Sequence, residues 1–404
     1  MTGLRLAAIP PSRYEDYRRD VIFGAYKWDP MVSDSNTVAR QALLISPETA
    51  AELEQMAVAL TQETLAMENA LLRQLPLVRA LGLPLRLRRA LLRTRNYDPQ
   101  GHVRLMRFDL HPTEAGWQVS EVNSDVPGGL AEASVLPEIA APYFPGFVPG
   151  VDFGQRFLAA HQYKLPPGGT VAFVHATSYS DDRQVMEFLA DRFEAAGYRT
   201  LMAAPDHLRW ENRRAVSLIF GHEGPVDAIV RFFPLEWLPD LPRRADWRGY
   251  FDTETLSCNH PAAIVTQSKR LPLVWDRLEL ELPTWRRLLP ETRDPRQAKG
   301  EGWIYKPAMG RVGEGISIRE AMSPKEYRSI LRAVKRYPKD WTAQRRFTSV
   351  PLETEEGERF HLCVGVFTVD GQCAGFYGRI SPGPRIDSKA KDIPILVSKE
   401  GVSL

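Results

Sequence analysis

One stretch constrains the fold more than any other: residues 104–129, RLMRFDLHPTEAGWQVSEVNSDVPGG. It reads as two strands joined by a turn. Side chains on a strand alternate between faces, so residues two apart leave the same side. Arg107 and Asp109 therefore share a face of the first strand, and Glu121 and Asn123 share a face of the second. The connecting HPTEAG is polar and ends in glycine, as a hairpin connection should. If the strands pair, two carboxylates, an amide oxygen and a guanidinium converge on one small area. Three oxygen ligands suit a hard cation such as Mg2+, which takes carboxylates together with phosphate oxygens and water. An adjacent arginine suits a phosphoryl group. Without such partners the same residues make a surface hairpin with alternating polar side chains.

Composition narrows the classes of partner. Lys plus Arg is 52 and Asp plus Glu is 50, a net charge of +2 over 404 residues. No nucleic-acid or membrane partner is expected from that balance. The length suits two or three domains or one large composite one. Cys258, Cys363 and Cys373 lack CxxC spacing, so neither a disulfide framework nor a zinc site follows. No apolar run is long enough to span a bilayer. The opening MTGLRLAAIPPSRYEDY has too short an apolar run for a secretory signal, and a cytoplasmic setting is expected.

In chain order, residues 47–82 read as a helix with Ser46 as cap, Pro47 at the first position and Leu53, Met56, Leu60 and Leu65 along one stripe. LRLRRALLRTR at 85–95 is a basic amphipathic segment with Arg86, Arg89 and Arg93 on one face. TVAFVHA, the helix beginning near Ser180 or Asp181 and stopping at Gly197, LMAA, AVSLIFG and VDAIVRFF alternate strand and helix. That alternation predicts an α/β unit with a partly parallel sheet. Ligands in such sheets sit at the carboxyl ends of strands, so the loop from His175 to Asp181 is a candidate substrate contact. LELELPTWRRLL reads as helical. GWIYKPAMGRVGEGISI reads as a strand ending at Lys306, a loop with Gly310, Gly313 and Gly315, and a second strand. Backbone N–H groups of such a loop can cradle phosphates, although this is neither a P-loop nor a dinucleotide fingerprint. The last part is strand-rich, with Asp370-Gly371 as a tight turn. Arg379 ends a strand, and Arg385, Lys389 and Lys391 follow in a loop that is either solvated charge or an anion clamp.

These pieces form a recognisable series. RFD at 107–109, EVN at 121–123 followed by SD, SK at 268–269, YKP at 305–307 with its glycine loop, and GFYGRIS at 375–381 stand in one order. In that order the chain resembles, over roughly residues 15–400, the glutathionylspermidine synthase family of ATP-grasp ligases. The resemblance is to the synthetase domain, and no cysteine amidase domain is expected. It implies an α/β (α+β) fold of ATP-grasp type, with a rearranged motif order and a Rossmann-like α/β subdomain. The implied division is residues 1–165 for an N-terminal helical region and the metal-binding hairpin, 166–258 for the substrate side, and 259–404 for the nucleotide-binding region.

Carried over motif by motif, the resemblance implies that Asp109, Glu121 and Asn123 hold two Mg2+ ions on the phosphates of ATP. Lys269 and Lys306 would contact the nucleotide, and the loop with Gly310 and Gly313 would close over the triphosphate. The strand at Gln344 would lie along the adenine edge. Arg107 and Arg379 would neutralise the transferring phosphoryl group, assisted by Lys389. The implied reaction joins a small-molecule or peptide carboxylate to an amine. The family carries small hydroxyl residues after its ExN motif, whereas this chain has Ser124-Asp125-Val126-Pro127-Gly128-Gly129, so a different substrate pair is expected. Asp125 and Glu236 are candidate anchors for a cationic amine. The alternatives are a phosphotransferase on the same scaffold and an ATP-binding pseudoenzyme.

Overall fold

The computed structural model describes residues 3–28, 30–32, 34–310 and 315–402, without the side chains of residues 95 and 96. Its centre is a six-stranded antiparallel sheet in the order Lys391–Ile393, Gln372–Ser381, Arg359–Val369, Leu105–Thr113 and Gly116–Asn123, with Leu352–Glu353 paired to Arg359–Val369. The hairpin at 105–123 thus shares a sheet with strands from residues 352–393, far along the chain. Its turn closes at Gly116, whose φ of 104° suits glycine. The turn Asp370-Gly371 has positive φ at both residues, the geometry that an Asp-Gly hairpin favours.

The two faces of this sheet do different work. Phe108, Leu110, Val364 and Val366 face one side and pack in one buried cluster with Leu53, Met56 and Leu60 of the long helix Pro47–Arg73. Ser46 caps that helix by accepting from the Thr49 N–H at 3.2 Å. The helix stops nine residues before the expected end. Pro76 cannot continue it, and a 3-10 segment, Leu75–Leu81, follows. The opposite face carries the polar residues of the hairpin and looks into a cleft.

A smaller antiparallel sheet closes that cleft: Trp341–Arg345 in the middle, Thr292–Arg293 and Trp303–Pro307 on either side. Ile304 pairs with Gln344 and Lys306 with Thr342, so Ile304, Lys306 and Gln344 share a face. After the loop, Ile316–Ile318 runs beside Trp303–Pro307 through the Ser317 N–H to Tyr305 carbonyl bond of 3.0 Å, but makes no regular strand. LELELPTWRRLL is helical only over Pro283–Leu288. Glu279 has a φ of 55°, and Pro283 starts the helix, as proline does at a first position.

The α/β unit holds a four-stranded, fully parallel sheet in the order Leu256–Cys258, Ala228–Arg231, Thr170–Val174 and Arg199–Ala203. Helix Ser180–Ala195 connects the last two strands, with Tyr179 rather than Ser180 or Asp181 at its cap. Arg214–Ser217, from the AVSLIFG run, joins a separate antiparallel sheet instead. No described helix is long and apolar enough to cross a membrane.

Candidate functional site

The hairpin pairs Asp109 directly with Glu121 and Arg107 with Asn123, which puts all four side chains on the cleft face. Arg107 grips the Asp109 carboxylate with both ends of its fork, Nε to Oδ1 at 2.7 Å and Nη2 to Oδ2 at 3.0 Å. Arg379 donates to the same Oδ2 at 2.9 Å, and Asn123 Nδ2 stands 3.4 Å from it. Gly365, opposite Asp109 on the neighbouring strand, makes this possible. A Cβ there would stand 2.8 Å from Arg107 Cδ, so only bare backbone lets the arginine pass. The Arg107 and Arg379 guanidinium carbons each lie 5.4 Å from the centre of the Tyr377 ring, which carries both.

The two lysines reach the same place from the other side of the cleft. Lys269 Nζ pairs with Glu121 Oε2 at 2.9 Å and donates to the Gly310 carbonyl at 2.5 Å, tying the hairpin to the mouth of the glycine loop. Lys306 Nζ donates to the Ser120 carbonyl at 3.0 Å. His111, two residues after Asp109, has Nε2 3.1 Å from Ser120 Oγ and Nδ1 3.1 Å from the Leu362 carbonyl.

Burial works against every charge here, and the neighbours decide the result. Burial pushes the Asp109 pKa up, but Arg107 and Arg379 more than offset it and hold the carboxyl down to about 2. Burial likewise opposes the charge of Glu121, yet Lys269 keeps its pKa below the ordinary value. Burial wins at Lys306, which falls to about 8 despite Glu121, and at His111, which falls to about 4 and is neutral at pH 7. Both carboxylates are thus already ionised and need lose no proton to take a metal.

Three cavities meet at these residues. The first, about 790 Å³, runs from Asp109, Glu121, Lys306, Arg379 and Arg385 to an apolar end with Ile304, Ile316, Ile318 and Phe347. An apolar end joined to a charged one is the lining of a small-molecule site. The second, about 380 Å³, shares Ser120, Glu121 and Lys306 with the first and lies against Trp275 and Trp285. The third, about 980 Å³, shares Arg379 with the first and continues past Tyr377 to Lys27, Glu132, Asp181 and Asp392. Arg379 therefore borders two separate spaces, and its buried Nε–H has no hydrogen-bond partner among the described residues.

Most of the residues expected from sequence gather here: Arg107, Asp109, Glu121, Asn123, Lys269, Lys306, Arg379 and Gly310. Gln344 lines the second cavity; it is the exit of its strand, Arg346 to Ser349, that borders the first. Gly313 lies outside the described residues. Lys389 is exposed in a turn, its backbone N–H bonded to Asp387, and lines none of these cavities; Arg385 of the same loop does, because the turn at Asp387 directs 385 inward and 389 outward. Asp125 is buried against Arg231, at 2.5 Å, and the Leu235 N–H, beneath the sheet. The strand alternation that puts Asn123 into the cleft ends there, and Asp125 turns inward. His175 is also buried, and of its loop Asp181 reaches one of these three cavities. His111 and Tyr377 were not singled out from sequence, although the alternation that joins Arg107 to Asp109 extends to His111.

Among the described residues no group of three or more His, Cys, Asp and Glu forms a metal cage. By type the oxygen set, two carboxylates and an amide, suits Mg2+, which takes one or two carboxylates and completes its shell with phosphate and water; Arg107 and Arg379 now hold both Asp109 oxygens, and Lys269 holds Glu121 Oε2, in the place such a cation would take.

Residues 12–398 match the family described as glutathionylspermidine synthase preATP-grasp. The chain belongs to that family. A solved glutathione synthetase like-effector from Globodera pallida, in apoform, is similar with a TM-score of 0.62 over 96% of this chain and 99% of that one, at 10% identity. At that identity the likeness is one of fold, a mixed α/β arrangement of several sheets. A protein from Methylobacillus flagellatus described as a gamma-glutamylcysteine synthetase gives 13% identity over 84% of this chain and 88% of that one, with a TM-score of 0.47. No curated protein matches the chain. This glutathionylspermidine synthase family member thus carries its charged cleft within a fold shared with a glutathione synthetase-like protein.

Proposed function

We propose that the chain is an ATP-dependent ligase that joins a carboxylate to an amine through an acyl phosphate and releases ADP and phosphate. The observation that carries this reading is Arg379, which touches Asp109 and borders both the first and the third cavity. A carboxylate oxygen is a poor leaving group until it is phosphorylated, so such a ligase needs a nucleotide space and an acceptor space that meet at one cation. In this reading the first cavity takes ATP: the base at the apolar end, beside Ile304, Ile318 and Phe347, and the phosphates toward Lys269, Lys306 and Arg385. Asp109, Glu121 and Asn123 would hold two Mg2+ ions, which supply charge neutralisation on the phosphates. Arg107 positions Asp109. Arg379 offsets charge on the transferring phosphoryl group and then on the oxyanion formed when the amine attacks. The third cavity takes the amine.

The same reading assigns the rearranged order of motifs, with the metal ligands ahead of the nucleotide lysines, and makes the parallel sheet the Rossmann-like, substrate-side subdomain. Its domain division is 1–165, 166–258 and 259–404, and its setting is the cytoplasm, where ATP is supplied. The substrate pair differs from glutathione and spermidine, because the segment after Asn123 turns away from the cleft with Asp125 sealed against Arg231.

The test is ADP release from Mg-ATP with glutathione plus spermidine, and then with pools of amino acids, peptides and amines. ADP formation that requires both an acid and an amine, and that Glu121→Gln abolishes, is the expected result. Amine-independent ADP with a stable phosphorylated product would select a phosphotransferase. Tight Mg-ATP binding without turnover in any pool would select a pseudoenzyme.

A further inference from the structure

The third cavity already contains an ammonium of the protein's own. Lys27 Nζ stands 2.7 Å from Glu132 Oε1 and 2.7 Å from Asp392 Oδ2. Both carboxylates are nearly buried, with 12% and 6% of their side chains exposed, and both line the cavity. Asp392 also accepts from the Tyr377 hydroxyl at 2.6 Å, and the Tyr377 ring carries Arg379. The Lys27 ammonium is therefore linked through Asp392 and Tyr377 to the cation at which the two spaces meet. Burial works against its charge, but Asp392 and Glu132 keep its pKa well above the ordinary lysine value, so it stays charged. Of the other acidic groups facing the cavity, Asp387 is bonded to Arg385 at 2.9 Å, and Asp181 accepts from Gln184 at 3.3 Å.

We propose that Lys27 is a specificity-determining residue whose ammonium fills the cation subsite of the acceptor cavity, so that the acceptor is a molecule with a single amine and not a di- or polyamine. The inference rests on the third cavity being the acceptor space. The geometry that would hold the distal ammonium of a polyamine, two nearly buried carboxylates converging on one point, is present and is taken by Lys27. A second ammonium there would meet the like charge of Lys27 beside two carboxylates that already pair with it, and like charges at contact in a poorly solvated site repel strongly. Methionine in place of lysine keeps most of the volume and removes the charge, leaving Glu132 and Asp392 to recruit an external ammonium.

The test is calorimetric titration of the full chain, without nucleotide, with putrescine and with butylamine. Wild type is expected to bind putrescine no more tightly than butylamine. Lys27→Met should bind putrescine at least about tenfold more tightly than wild type does, and Lys27→Met combined with Glu132→Gln should lose that gain. Equal putrescine affinity in wild type and Lys27→Met, or a gain that survives Glu132→Gln, would overturn the proposal. If Lys27→Met does not fold, the wild-type pair decides, since putrescine binding tenfold tighter than butylamine would show an open second subsite. None of these titrations uses ATP, so they hold or fail separately from the ligase reading, which the ADP-release screen decides.

Discussion

The charged cluster on the cleft face of the hairpin and the one beneath its exit begin one residue apart, at Asn123 and Ser124, yet their charge is arranged differently. Beneath the sheet, Arg104 pairs with Glu68 at 2.8 Å and donates to the Ser124 carbonyl at 2.6 Å, and Arg231 pairs with Asp125 at 2.5 Å. Two cations meet two carboxylates. On the cleft face, Arg107, Arg379, Lys269 and Lys306 meet only Asp109 and Glu121, four cations against two carboxylates. Buried charge is costly unless paired, so a balanced cluster reads as structure and an excess of cations beside a cavity reads as a place made for an anion. Charge balance, more than burial or ion-pair count, separates the two regions.

The largest expected effect tests the balanced side. Arg231→Met should lower the unfolding free energy by about 3–5 kcal/mol, because it strips the guanidinium from a buried carboxylate. A denaturant melt measures it. Arg379→Ala should cost far less stability, since Asp109 keeps both bonds from Arg107. A loss as large as that of Arg231→Met would make the cleft cluster structural as well and break the comparison. In return, Arg379→Ala should lower turnover roughly a hundredfold, about 3 kcal/mol of barrier, the usual cost of one charge-stabilising contact. Unchanged ADP release with retained ATP binding would remove Arg379 from the reaction.

The next effect sharpens the cleft side alone. Gly365→Ala puts a methyl group 2.8 Å from Arg107 Cδ. Crowding of that kind costs about 1–3 kcal/mol. It should fall mainly on turnover through a displaced Arg107. Wild-type kinetics in a folded Gly365→Ala protein would show that the bidentate grip on Asp109 is dispensable.

How far each cluster could be read from sequence follows from how its members are linked. Arg107, Asp109, Glu121 and Asn123 lie on two adjacent strands; alternation puts each pair on one face of its own strand, and the pairing of Asp109 with Glu121 makes it the same face. Lys269, Lys306 and Arg379 come from other segments and were reached through the family motifs. Asp125 looked like part of the same series, but the alternation stops where the strand ends at Asn123, and nothing local shows that the next carboxylate turns inward to Arg231. Arg385 and Lys389 differ only in which side of a turn they occupy. Lys27, Glu132 and Asp392 come from three distant parts of the chain and share no period or motif, so their convergence exists only in the folded protein. The hairpin's place in a sheet with residues 359–393 is likewise a long-range pairing that local pattern does not encode.

The smallest expected effect concerns pH and sets the two consequences of an uncompensated cation against each other. Lys306 is buried, and burial brings its pKa from the ordinary 10.5 to about 8, with Glu121 only partly opposing. Below pH 8 its ammonium is present and can hold a phosphate; above pH 8 it is lost in the folded protein. The affinity of the free protein for ATP should therefore fall as pH rises through about 8, approaching tenfold per unit. Stability has the opposite sign. Between about pH 8 and 10.5 the unfolded chain holds the proton that the folded chain has released, so the Lys306 contribution to folding free energy rises with pH in that window. Weaker nucleotide binding with a more favourable Lys306 contribution to stability is the signature of a cation kept under-compensated for a ligand. Equilibrium ATP titrations and denaturant melts at pH 7, 8 and 9, on wild type and Lys306→Arg, separate the two trends. The arginine variant stays charged throughout and should flatten both. An ATP affinity that is level across pH 8 in wild type would place Lys306 among the balanced, structural charges instead.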